Sequence, residues 1–143
     1  MIKQLLFLTA LILAYYSTES QTITSNTNEC IQNFTIEAKT ISGNNQNVND
    51  IIISWDFSET NDTQNLELTF EVQPLNACWN GLNGTNRSEV KTYKIVDFSE
   101  NTVGNKTLAY NDLNCKCIKW KAIILNPTTN CETKTEWQFT SFL

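Results

Sequence analysis

The chain has 143 residues, a formal net charge of −5, a charged fraction of 17% and no histidine. A mildly acidic chain with no basic block argues against nucleic acid or an anionic membrane as partner. Without histidine there is no Ser-His-Asp triad and no His-based metal site, and no G-x-S-x-G, P-loop or dinucleotide fingerprint occurs.

Residues 1–20 read as a signal peptide. Lys3 supplies a basic start, Leu5 to Ala14 are apolar except for Thr9, and Ser17-Thr18-Glu19-Ser20 is a polar, mostly small cleavage region. An apolar run of about ten residues falls short of the ~20 that a spanning helix needs, so no membrane anchor is expected. The cut falls between Ser17 and Gln21. About 120 residues then remain, enough for one domain with one core.

Residues 21–29 are polar and read as a flexible N-terminal segment. The domain proper, 30–143, alternates short β-patterned runs with polar turns. Phe34, Ile36 and Ala38 mark the first run. Ile51, Ile53, Trp55 and Phe57 mark the second, and Leu66, Leu68, Phe70 and Val72 the third, ended by Pro74. A long exposed turn spans 76–88. Val90 to Phe98 is the fourth run, Leu108 and Tyr110 mark the fifth, and Ile118, Trp120, Ala122 and Ile124 the sixth. After a turn at 126–130, Trp137 and Phe139 mark the seventh. Period-two alternation at this spacing is the signature of an antiparallel sandwich, with Trp55, Phe70, Trp120 and Trp137 expected in its core. Asn and Thr, 19 of each, suit turns and strands respectively.

Five N-x-S/T acceptor triplets begin at Asn33, Asn61, Asn83, Asn86 and Asn105. Behind a signal peptide they predict N-glycosylation. Cys30, Cys78, Cys115, Cys117 and Cys131 all follow the signal. In an oxidising compartment they are expected to pair, with one left free or bonded to another chain. Cys115-Lys116-Cys117 has the wrong spacing for a C-x2-C zinc or thiol-redox site, so neither metal nor cofactor is expected.

The order and content of these runs resemble a fibronectin type III domain. Ile51-Ile52-Ile53-Ser54-Trp55 is similar to that family's strand B with its buried tryptophan. Leu108 to Leu113 is similar to strand E and the E–F turn, Ile118 to Ile124 to strand F, and Trp137 to Phe142 to strand G. The family's strand F tyrosine is absent: Lys119 and Trp120 stand at and beside its place. The resemblance implies a seven-stranded immunoglobulin-like sandwich, with strands A-B-E in one sheet and C-C′-F-G in the other. A second resemblance, to the ML lipid-binding domain, rests on Trp120 in a late strand followed by Cys131; the early cysteine pair of that family is missing.

The type III topology sorts the cysteines onto two poles. Cys30 and Cys131 share one, and Cys78, Cys115 and Cys117 the other. This implies the bridge Cys30–Cys131 and a second bridge from Cys78 to Cys117, with Cys115 exposed as a free thiol or as the link of a disulfide-bonded dimer; the alternative is Cys78–Cys115, which leaves Cys117 unpaired. The outward residues of strands C, F and G (Glu67 and Glu71; Lys119 and Lys121; Lys134 and Glu136) are arranged as a cross-strand charge ladder or a partner-binding face.

The reading is a secreted, extracellular glycoprotein that acts as a protein-binding module. The alternative, implied by the ML resemblance, is a small lipid carrier. Acids such as Asp56 and Glu59 are read as solvated loop residues rather than an acid–base pair, and no enzymatic activity is expected.

Overall fold

A computed structural model describes residues 21–24, 30–43 and 48–143; the signal peptide expected over 1–20 lies outside these residues. The strands are β1 (Gln21–Thr24), β2 (Thr35–Ser42), β3 (Asn49–Asp56), β4 (Glu67–Leu75), β5 (Lys91–Lys94), β6 (Val103–Leu108), β7 (Cys117–Asn126), β8 (Cys131–Lys134) and β9 (Gln138–Ser141), and in β3, β4 and β7 inward-facing apolar residues recur at every second position. One sheet runs β1-β2-β3-β6. The other runs β5-β4-β7-β8, and β9 also pairs with β7. Every pairing is antiparallel. The fold is an all-β sandwich, with nine strands among the described residues where seven are expected. Among the described residues, no helix is long and apolar enough to cross a membrane.

The register places Ile36 opposite Trp55 and Ala38 opposite Ile53 in the first sheet. In the second it places Leu68 opposite Ile124, Phe70 opposite Ala122 and Val72 opposite Trp120. These side chains fill the space between the sheets, and all but Trp55, at 5%, have no measurable exposure. The Phe70 ring bridges Trp55 and Trp120, at 5.8 and 6.3 Å between centroids. Burying each such side chain contributes roughly 1.5–3 kcal/mol. Both core indoles are satisfied: Trp55 Nε1 donates to the Asn101 carbonyl at 2.8 Å, and Trp120 Nε1 to Thr140 Oγ1 at 2.9 Å.

With few glycines available, Asn and Asp make the corners. Asn33, Asp62, Asp97, Asn114 and Asn130 all adopt left-handed backbone, φ 46–59°, which short polar side chains tolerate best after glycine.

Four expectations are corrected. Residues 21–24, expected to be loose, form β1, because Ile23 can sit opposite Ile36 on β2. Tyr110 does not extend the fifth strand; it opens a helical turn, Tyr110–Leu113. Strand β4 runs through Pro74 rather than ending before it. The Pro74 carbonyl accepts from the Arg87 amide at 2.9 Å, so its missing N–H also faces away from β7, beyond the end of β5.

The fourth correction is Trp137, which is not in the core. Between Ile123↔Lys134 and Trp120↔Gln138, β7 advances three residues and its partner four. The extra residue is a bulge at 135–137. It switches the inward parity from Thr133 to Thr140, and Trp137 turns outward, half-buried. Thr135 bridges the gap: its amide donates to the Ala122 carbonyl at 3.0 Å, and its hydroxyl accepts from the Ala122 amide at 2.9 Å.

Candidate functional site

The β4–β5 connection, 76–90, meets the β6–β7 connection and the chain's last residues at one pole of the sandwich. Its length suggests a slack turn, but it is pinned at several points. Cys78 is disulfide-bonded to Cys117 at the start of β7, with Cα atoms 5.7 Å apart. The Asn76 amide donates to Thr85 O at 2.9 Å, Asn76 Nδ2 to Asn86 O at 3.1 Å, and the Gly81 amide to Cys78 O at 3.1 Å. Gln73, buried at the root of the loop, donates to Ser88 O at 2.6 Å.

On this braced loop Trp79, directly after the disulfide, is 87% exposed. Leu82 in the same loop and Leu143 are also exposed. Trp79, Leu143, Leu75 and Tyr110 line a cleft of about 460 Å³, joined there by the basic residues Arg87 and Lys116. The C-terminal segment is held at this pole: the Phe142 amide donates to Lys116 O at 2.9 Å, and the Phe142 ring packs edge-on against Tyr110. The result is a rigidly mounted aromatic and aliphatic tip beside two cations.

Sequence reading missed Trp79. It lies outside any alternating run, beside a cysteine, in a stretch read only as an exposed turn. That context is itself the signal, since an aromatic with no inward parity has no core to enter.

Below the tip lies Cys115, expected to be exposed and found buried, 3% exposed and unpaired. Asn114 ends the helical turn in left-handed conformation and swings the next residue inward. Burial pushes the Cys115 thiol above its ordinary range, an effect partly offset by backbone hydrogen bonds from Leu75 and Cys117 and by the charges of Arg87 and Lys91. A thiol in this position is not presented to a second chain. The other disulfide, Cys30–Cys131, closes the opposite pole, Cα atoms 6.2 Å apart.

All five acceptor asparagines are exposed. Asn83 and Asn86 follow Trp79 in the same loop. Asn33 and Asn61 lie at the opposite pole, where Thr60 Oγ1 donates to Asn33 O. Asn105 sits on edge strand β6, opposite Ser54. None is on a strand of the five-stranded sheet.

The outer face of that sheet carries the expected charges in a different pairing. Lys121 reaches Glu71, its register partner on β4, at 2.9 Å. Glu67 pairs with Lys94 on β5, and Lys134 with Glu132 on its own strand. On the far side of β7 the lysines meet an aromatic ring rather than carboxylates: Lys121 and Lys119 lie 4.8 and 5.5 Å from the Trp137 centroid. These groups are committed to one another, which reads as a stabilising ladder. Asp56 accepts from the Ser58 hydroxyl and amide, at 2.6 and 2.9 Å, which holds its carboxyl below the ordinary range. It is a turn-forming group. No protein-family model, no curated protein and no solved structure matches this chain.

Proposed function

We propose that the chain is a secreted, N-glycosylated, fibronectin type III-like module that binds an extracellular protein through the pole carrying Trp79. The observation that carries this reading is Trp79 itself, 87% exposed on a loop fixed by a disulfide and main-chain hydrogen bonds. Tryptophan is the residue most enriched at binding hot spots, and mounting it on a rigid loop lowers the entropy lost on binding. Arg87 and Lys116 suit a partner that combines an apolar knob with acidic side chains. The strand order supports the type III assignment: with β1 set aside, β2-β3-β6 facing β5-β4-β7-β8/β9 is A-B-E facing C′-C-F-G. Two disulfides accord with an oxidising, extracellular setting. The filled space between the sheets favours a binding module over a lipid carrier, which needs an apolar chamber of several hundred Å³. No catalytic step enters this reading.

The test places a photo-crosslinking side chain at position 79 and, in a second protein, at Val96, an exposed apolar residue at the opposite pole. The expected result is a discrete extracellular protein captured from position 79 and not from 96. Its affinity should fall at least tenfold, about 1.4 kcal/mol, for Trp79→Ala with unchanged thermal stability. Equal capture from both positions, or unaltered affinity of Trp79→Ala, rejects the assignment.

A further inference from the structure

We infer that signal cleavage falls between Ser20 and Gln21, and that the new N-terminal Gln21 closes to pyroglutamate. This rests on the export part of the proposed function. A cleavage region needs small residues at the first and third positions before the cut. Cutting after Ser17 or Thr18 puts Tyr15 or Tyr16 at the third position. Cutting after Glu19 or Gln21 puts a long polar side chain at the first. Only the cut after Ser20, with Thr18 two residues before it, satisfies both.

Gln21 lies on β1, opposite Ala38 in register. Its side chain has a place in the fold. The buried Trp120 indole donates to Thr140 Oγ1 at 2.9 Å, and that hydroxyl approaches Gln21 Oε1 at 3.4 Å. The Gln21 carbonyl is therefore the surface end of a polar chain that starts in the core.

An N-terminal glutamine carries its own nucleophile and electrophile. The free α-amine, with a pKa of about 7.7–8.0, is available near neutral pH. Its nitrogen attacks Cδ of the side-chain amide and a Cδ–N bond forms. The Cδ–Nε2 bond breaks, and Nε2 leaves as ammonia with the proton given up by the α-amine. No oxidant, reductant or second substrate is needed. The lactam keeps the carbonyl oxygen that Thr140 approaches and expels the amide nitrogen. It also replaces a charged ammonium at the end of an edge strand with a neutral N–H. β1 is only four residues long and pairs on one side only, the kind of terminus that frays and is trimmed first. Closing the amine removes the group that aminopeptidases require.

The test is mass spectrometry of the N-terminal peptide from freshly secreted, deglycosylated protein. The expected peptide begins at residue 21 and is lighter than its encoded sequence by one ammonia. It resists stepwise N-terminal degradation until a pyroglutamyl aminopeptidase has acted. Gln21→Ala should begin at the same residue, show no loss of ammonia and degrade from the first cycle. Secreted protein that begins elsewhere, or at Gln21 with an open amine, overturns this inference alone. A chain held inside the cell with residues 1–20 attached overturns the export reading as well.

Discussion

The Trp55 indole lies against the Cα of Gly104, its cross-strand neighbour, so closely that a Cβ at Gly104 would stand 2.7 Å from Trp55 Cζ2 and 3.0 Å from Cε2. The pair is a large–small match across β3 and β6, and the glycine is there for its missing side chain. Gly104→Ala is expected to destabilise the fold. Overpacking costs roughly 1–3 kcal/mol, more than the ~0.5–1 kcal/mol that alanine gains over glycine within a strand. Trp55→Phe removes the crowding atoms, so the double variant should lose less stability than the two singles summed. Denaturant titration of the four proteins reads this, and strict additivity would refute the steric account.

Cys115 gives a pH-dependent prediction. Its thiol is held above the ordinary range by burial, so the folded state keeps a proton that the unfolded chain releases from about pH 8.5 upward. The folded protein then binds more protons than the unfolded one, and stability falls as pH rises through that region. The contribution is fully present below the unfolded pKa. Cys115→Ala should flatten the decline between pH 8 and 10, measured by urea midpoints. In the native protein at pH 8, Cys115 should resist alkylation by iodoacetamide; rapid modification would show that the thiol is accessible.

The four core strands β2, β3, β4 and β7 were legible because each lies in a run of three or more apolar residues at strict period two, the run of β2 beginning at Phe34 just before it. The Cys30–Cys131 bridge, and the meeting of Cys78 with Cys115 and Cys117 at one pole, were legible because strand order alone brings those ends together; the choice of Cys117 as partner was not. What could not be read has specific causes. Strand β1 has a single apolar residue, Ile23, to announce it. Strand β6 puts Gly104 where an inward apolar residue would stand, so its alternation vanishes from the sequence. The bulge at 135–137 leaves no mark in composition yet inverts the facing of Trp137. Cys115 and Cys117 look equivalent at strand parity, but residue 115 follows a helical turn with a left-handed Asn114. Trp79 has no periodicity at all, and only three-dimensional exposure distinguishes it.

The outer ladder should behave as a coupled unit. Lys121 is shared between Glu71 and the Trp137 ring, and both sites are partly covered. A cross-strand ion pair contributes about 0.2–1 kcal/mol, and an exposed cation–π contact about 0.5–1 kcal/mol. A double-mutant cycle of Lys121→Met and Trp137→Leu should return a coupling of about 0.5–1 kcal/mol. The Lys121–Glu71 cycle should weaken as salt is raised. Zero coupling in the first cycle would remove the ring from the ladder.

Sugar occupancy follows from the exposed acceptors. Protein secreted from a eukaryotic host should lose mass on treatment with an N-glycan amidase, with attachment mapped to some or all of Asn33, Asn61, Asn83, Asn86 and Asn105. Asn83 and Asn86 lie in one short loop, so chains filled at both should be rarer than chains filled at either. An unchanged mass would mean that the triplets follow only from a composition rich in Asn and Thr.

The Cys78–Cys117 bridge closes a loop with a sequence separation of 39 residues and also anchors the residue before Trp79. Loop-closure entropy assigns it roughly 4 kcal/mol. The variant that tests it must also replace Cys115, whose thiol could otherwise pair with Cys78. The triple variant Cys78→Ala, Cys115→Ala, Cys117→Ala is therefore compared with Cys115→Ala. Two effects are expected from one change. The unfolding midpoint should drop, and amide exchange should accelerate over residues 76–88 more than in β4 or β7, because the remaining hydrogen bonds of the loop are largely solvent-accessible. The second effect separates anchoring from general stability. If exchange in the loop rises no more than in the strands, the disulfide stabilises the sandwich without bracing Trp79, and the rigid mounting of that ring must come from the loop's hydrogen bonds, among them Asn76–Thr85, Asn76–Asn86 and Gln73–Ser88.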